Sequence, residues 1–477
     1  MKNRKQIATL LATAIIVSLC QPTIDTSAAS IKLNKSKIQI TQGKTTTLKV
    51  KDTKKKAKWS IKSGKKYIKL QKKRKACVKI KALKVGTAKV QCKIGKKKLV
   101  CKVIVKAKTI KTKVTPRTTM RPTEVPTSTA NPMQTPVVTN GVAEKSEEDI
   151  QALHALIRQQ KEQGATVSED LSDRSYKWNE EGRLVGINWE NCGLKGEISF
   201  SGLPELKELN CGVNELTVLN VSGNRGLTYL VFLKNKITQI DLSSNENLQT
   251  IFCLENPLQD LDLSQKKKLE SLYCSDCQLR SIKLEQCEKL QMISCDNNNL
   301  TEIDVKECID LRTLIVDKNN LLQLDVSQNL FLESLICSNN VLSELDVSQN
   351  HRLEVLDCGN NQLSHIDVSN NIDLRNFYCY ENELTSLDVS KNAKLSLFSC
   401  SDNQLTELDV SCCTELYRFS CENNDISMLD LSNCEFIYEV NCRGNDMETL
   451  IVKEDQYLGA FYTDYSVSII YKAATLS

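Results

Sequence analysis

Residues 332–352 read LESLICSNNVLSELDVSQNHR, and residues 353–373 restate them as LEVLDCGNNQLSHIDVSNNID. The pattern LxxLxCxxNxLxxLDVSxN returns every 21 residues between Leu206 and Val452, with starts at 206, 227, 248, 269, 290, 311, 332, 353, 374, 395, 416 and 437. A fixed period of this length marks a stack of coils, none of which can bury its apolar residues alone. Numbered from each start, positions 1, 4, 6, 11, 14 and 16 are apolar and point inward. Cys holds position 6 in ten units (211, 253, 274, 295, 337, 358, 379, 400, 421 and 442), with Phe232 and Val316 in the other two. There it serves as a small buried hydrophobe. Position 9 is Asn in eleven of the twelve units, Cys277 being the exception. A buried amide satisfies turn backbone groups that a leucine would leave unpaired.

This spacing and the LxxLxCxxNxL core identify a leucine-rich repeat, and the fuller unit with LDVSxN resembles the internalin-like repeat proteins of bacterial surfaces. The expected fold is a β-rich solenoid of 21-residue repeats with a parallel concave sheet. The LxC strands should stack about 4.8 Å apart. The return halves are too short for a helix and should be extended or 3₁₀. Residues 206–457 form the array. Ahead of it, residues 146–205 begin with a helix: Ser146 and Asp149 make a capping-box-like start, Ile150, Leu153, Leu156 and Ile157 an apolar face, and Gly164 a stop. The run WNEEGRLVGINWENCGLKGEIS (178–199) resembles the N-terminal cap of leucine-rich repeat proteins. Residues 458–477, with a strand near Val467–Tyr471, should cover the other end.

The net charge of +6 hides an asymmetry: residues 31–113 hold 31 Lys/Arg against one acid, Asp52, leaving the rest of the chain strongly acidic. Residues 1–29 read as an export signal, with Lys2, Arg4 and Lys5 before an apolar run Ile7–Leu19 and cleavage after Ala28 or Ala29. That run is short for a membrane span, and Leu19 is bulkier than the residue expected before a lipidated Cys20. Residues 30–107 alternate apolar and polar as seven or eight short strands, the pattern of an antiparallel sandwich. Leu48-x-Val50, Trp59-Ser60 and Gly86-Thr87-Ala88 resemble the bacterial Ig-like domains of group 2, though the lysine content and Ile61-Lys62-Ser63 depart from them. If Gly95–Lys98 forms the hairpin turn, Cys92 opposes Cys101, either bridged or as two core thiols. Residues 108–145, with Pro116, Pro122, Pro126, Pro132 and Pro136 among many Thr, form a spacer.

Catalysis has little support: the three histidines lack metal spacing, no nucleophile elbow, P-loop or HExxH occurs, and no cofactor or metal is expected. Position 15 is Asp in nine units (241, 262, 304, 325, 346, 367, 388, 409 and 430), where each should bond a backbone amide of its own turn rather than Ca²⁺. Cys287, Cys308, Cys413 and Cys434 replace Asn at position 19, so that 287/308 and 413/434 lie one rung apart.

Recognition therefore falls to the strand side chains that face away from the core. Tyr229, Val231, Phe252, Leu254, Tyr273, Met292, Ile315, Ile336, Tyr378 and Tyr380 make an apolar and aromatic stripe, expected to be exposed and to bind a protein. Flanking acids, among them Asp296, Asp317 and Glu381, favour a basic partner. The chain reads as an exported, adhesin-like surface protein, with its basic domain on anionic cell-wall polymer. Nucleic acid is excluded by export and by the lack of interleaved aromatics. The alternative is a structural or glycan-binding wall protein.

Overall fold

The computed structural model describes residues 32–106, apart from 34–36, 42–44, 52–56, 72–76, 85, 95 and 96, and residues 144–472, apart from 455, 457, 465 and 466. The expected export signal and nearly all of the expected spacer lie outside the described residues. The chain divides into two compact units, Met1–Gln134 and Thr135–Ser477. Among the described residues no helix is long and apolar enough to cross a membrane.

In the first unit, alternation of lysine with apolar residues produces eight strands in two four-stranded sheets. Leu48 and Ile80 from one sheet meet Trp59, Val90 and Val103 from the other in a single core. Lys89 and Lys93 stay exposed between the buried Ala88, Val90, Cys92 and Ile94, so these lysines are the solvated face of a strand. All pairings are antiparallel except that of Lys37–Thr41, which runs parallel to Lys97–Lys106. The expected cysteine pairing is corrected. Ile94 faces Lys97, Cys92 faces Leu99 and Cys101 faces Val90. The ladder closes on Ile94 and Lys97 rather than on Ile94 and Leu99, a shift of two residues that takes Cys101 away from Cys92. Both thiols are free and buried, and burial raises their pKa.

The second unit carries a fifteen-stranded sheet. Twelve of its strands are the LxC segments, from Glu208–Asn210 to Glu439–Asn441; Tyr176–Trp178 and Leu184–Asn188 precede them and Ala460–Tyr462 follows. Successive segments pair parallel and in register, Leu209 on Leu230 and Leu230 on Ile251, whereas Tyr176–Trp178 pairs antiparallel to Leu184–Asn188. Positions 4 and 6 therefore stack on their equivalents, and Leu, Val, Cys and Phe at these positions form one continuous core. Full burial of each leucine contributes about 1.5–3 kcal/mol. Return halves are extended, pairing as Lys195–Ser199 with Glu215–Asn220, Asp260–Asp262 with Ser281–Lys283, and Met428–Asp430 with Thr449–Lys453.

Two devices turn each coil. Position 8 is left-handed in all twelve units, from Val213 (φ 58°) and Lys234 (φ 53°) to Asn423 (φ 54°) and Gly444 (φ 64°). That conformation costs a non-glycine residue of order 1 kcal/mol. The Asn that follows it holds the turn. Asn340 Nδ2 donates to the carbonyls of Val316 (3.0 Å), Cys337 (3.0 Å) and Ser338 (3.2 Å), and its Oδ1 accepts from Leu321 N at 3.0 Å. Cys277, in the odd unit, donates its thiol to Cys253 O at 3.1 Å.

Helix α1 (Glu147–Glu162) buries Leu153, Leu156 and Ile157 against the first coil. Ser146 Oγ accepts from Asp149 N, and Gly164 (φ 89°) lies beyond the last turn. The Asp149 carboxylate goes to Arg183 (2.9 and 3.0 Å) and Leu184 N (2.8 Å), tying helix to strand. At the far end, Ser468–Lys472 pairs beside Thr449–Lys453 and leaves Ile469, Ile470 and Tyr471 exposed. Leu458, Phe461 and Val467 of the same tail pack against the solenoid core, and the strand adds one more rung to the return sheet.

Candidate functional site

Because positions 4 and 6 face the core, positions 3, 5 and 7 of each strand face the other way. Register then aligns position 5 into one column: Val231 on Phe252, Phe252 on Tyr273, Tyr273 on Ser294, and on through Ile315, Ile336 and Asp357 to Tyr378.

The expected exposure of this stripe is corrected. Val231, Phe252, Tyr273, Met292, Ile315, Ile336 and Tyr378 are each no more than 8% exposed. Tyr229, Leu254 and Tyr380 are half-buried. The reason is the strand spacing: at about 4.8 Å, ring lies on ring and each covers the next. Phe252 and Tyr273 stack with centroids 4.4 Å apart and planes 1° from parallel, while Tyr229 leans on Phe252 at 5.9 Å and 58°. The seven buried members belong to no part of the continuous core. They form a second apolar layer on the opposite side of the sheet.

Midway along this layer sits a polar cluster that spacing alone did not single out. Asp357, at position 5, accepts from Ser338 Oγ and from Gly359 N, both at 3.2 Å. Asp317, at position 7, takes Lys318 Nζ at 3.1 Å on Oδ2, and its buried Oδ1 has no partner. Ser294 donates to Asp296 at 3.0 Å, and Ser275 also binds Asp296. Burial pushes Asp357 up to about 7. Burial, then the charge of Asp296, raises Asp317 as well. Tyr380 closes one side, its ring lying where a side chain on Gly359 would stand: a Cβ there would meet Tyr380 Cε1 at 2.4 Å. The clue in the sequence was Asp357 itself, an acid in an otherwise apolar and small-residue column.

Other candidates are accounted for locally. All nine Asp at position 15 accept from the amide two residues on, as with Ser348 N to Asp346 at 2.8 Å. Cys287, Cys308, Cys413 and Cys434 are free and buried, and burial raises each thiol's pKa. Among the described residues no group of three or more His, Cys, Asp or Glu is placed to hold a metal.

Solved structures place this geometry. The functional domain of InlJ from Listeria monocytogenes, described as including a cysteine ladder, is 31% identical with a TM-score of 0.50, covering 56% of this chain and 67% of that one. YopM, a leucine-rich effector protein from Yersinia pestis, is 22% identical with a TM-score of 0.48, covering 60% of this chain and 88% of that one. No protein-family model matches the sequence, and no curated protein does.

Proposed function

Because the chain belongs to the internalin-like leucine-rich repeat proteins, we propose that it is an exported bacterial surface protein that captures a protein ligand on its concave sheet. The observation that carries this is the second apolar layer, a row of buried side chains outside the solenoid core. Its members are already packed, so a ligand meets a surface whose rotamers are fixed before it arrives. That lowers the entropy lost on binding. The surface left for contact belongs to half-buried Tyr229, Leu254 and Tyr380, and exposed aromatic and apolar groups of this kind are the usual carriers of interface energy. The flanking acids favour a basic ligand.

In this reading the first unit is a bacterial Ig-like domain of group 2, and its exposed lysines hold anionic wall polymer by charge. Salt screens such contacts, so retention on isolated walls should fall steeply as ionic strength rises.

The experiment is capture of surface-extract proteins by the full chain, compared with Tyr229→Ser/Leu254→Ser/Tyr380→Ser. These residues are half-buried, so the variant should keep its melting temperature within a few degrees and lose capture. Undiminished capture by a folded triple variant would move the site off the concave sheet.

A further inference from the structure

Resting on the concave-face reading, we propose that the cluster around Asp317 and Asp357 is a socket for one arginine side chain of the bound polypeptide. Three carboxylates, Asp296, Asp317 and Asp357, lie on this stretch of the face with Lys318 as the cation bonded to Asp317. Asp317 is 3% exposed, yet its Oδ1 accepts no hydrogen bond. A buried carboxylate oxygen without a donor is costly, and the protein supplies none.

The donor that fits must be cationic and must reach acceptors on different rungs. Asp317 sits in the unit starting at 311, Ser338 in the next and Asp357 in the one after. Guanidinium carries five N–H donors in a rigid plane and is more weakly hydrated than ammonium, so it enters a buried site at lower cost. The ring of Tyr380, beside Asp357 and over Gly359, supplies a face on which that plane stacks.

Lys318 is the lid. Its side chain is half exposed while its ammonium rests on the 4%-exposed Asp317 side chain. An incoming guanidinium takes both oxygens of Asp317 and releases Lys318 to water. Asp357 must be ionised to pair, so binding weakens as acid protonates it. The groups that face it are Asp317, Lys318, Tyr380, Ser338 and the Gly359 amide.

The test uses the full chain with N-acetyl-arginine amide as probe and N-acetyl-citrulline amide as its neutral isostere, followed by NMR titration. The arginine probe should bind at least about tenfold tighter than citrulline. Asp317→Asn should erase that preference, and Lys318→Met, which removes the competing cation from an exposed stem, should tighten arginine binding severalfold. Equal binding of the two probes, no binding of either, or an unchanged preference in Asp317→Asn would each overturn the socket. Looser binding in Lys318→Met would do the same, and that variant answers the question even if Asp317→Asn misfolds. Protein capture that depends on Tyr229 and Leu254 while the probes bind equally would remove the socket and leave the wider reading standing. An arginine preference without capture would do the reverse.

Discussion

Two columns of asparagine stand in the solenoid, one nearly unbroken at position 9 and one interrupted at position 19, and they are not equivalent. At position 9 both ends of the amide are used: Asn340 makes four hydrogen bonds, three through Nδ2 and one through Oδ1. At position 19 only the donor is used. Asn350 Nδ2 reaches Val326 O and Asn329 O, each at 3.0 Å, while the Oδ1 atoms of Asn224, Asn245, Asn329, Asn350, Asn371 and Asn392 are buried without partners. The sequence follows the chemistry. Position 9 departs from Asn once, whereas position 19 accepts Lys266, Cys287, Cys308, Cys413 and Cys434. A thiol donates one weak bond, as Cys287 does to Leu263 O at 3.2 Å, and leaves no acceptor stranded. An amide is held in place where both of its ends have work, and is exchangeable where one end is a burden.

The largest expected effect tests that claim directly. Asn340→Ala strips three carbonyls and one amide of their partner and should cost about 4 kcal/mol in chemical denaturation. A loss below about 1 kcal/mol would break the contrast between the ladders. Phe252→Ala carries the comparison to the apolar layer: if this layer packs like core, the change should cost about 3 kcal/mol, and a near-zero cost would restore the exposed stripe read from the sequence.

A pH series sharpens the point about stranded acceptors. Asp357 is pushed up to about 7 by burial, so between its ordinary value and 7 the folded state holds more protons than the unfolded one. Stability should therefore fall as pH rises through this window and level off above it. Asp357→Asn should flatten that slope in melting curves taken at pH 5 and pH 8 (values about those set by the shift). Asp346→Ala removes one turn-closing bond and should cost about 1 kcal/mol. Smallest of all is Asn350→Cys, within about 1 kcal/mol of the parent on equilibrium unfolding. A cost matching that of Asn340→Ala would erase the distinction.

The interior was legible because a 21-residue period assigns each core position its neighbours without further information. The asparagine at position 9 and the turn role of the aspartates were legible for the same reason: their partners lie within the repeat. Exposure of the position-5 column was not, because it depends on what stands one rung away. Phe252 is covered by Tyr273 and Tyr229, residues that a strand pattern taken alone leaves independent. The acidic cluster was hidden likewise, since Asp317 and Asp357 occupy different positions in units two apart. The left-handed residue carried only a partial signature: seven of the twelve are Asn, Asp or Gly, while Val213, Lys234, Glu255, Lys318 and Glu381 give no sign of it by type.

That recurring left-handed residue also limits how such a chain can change length. It must fall one place before the asparagine and seven after the unit's start in every coil, or the strand that follows leaves its register. One residue added to a coil would rotate every later side chain out of phase, whereas 21 added or removed together restore it. The concave surface therefore grows or shrinks in whole rungs, and its reach is counted out in steps of about 4.8 Å.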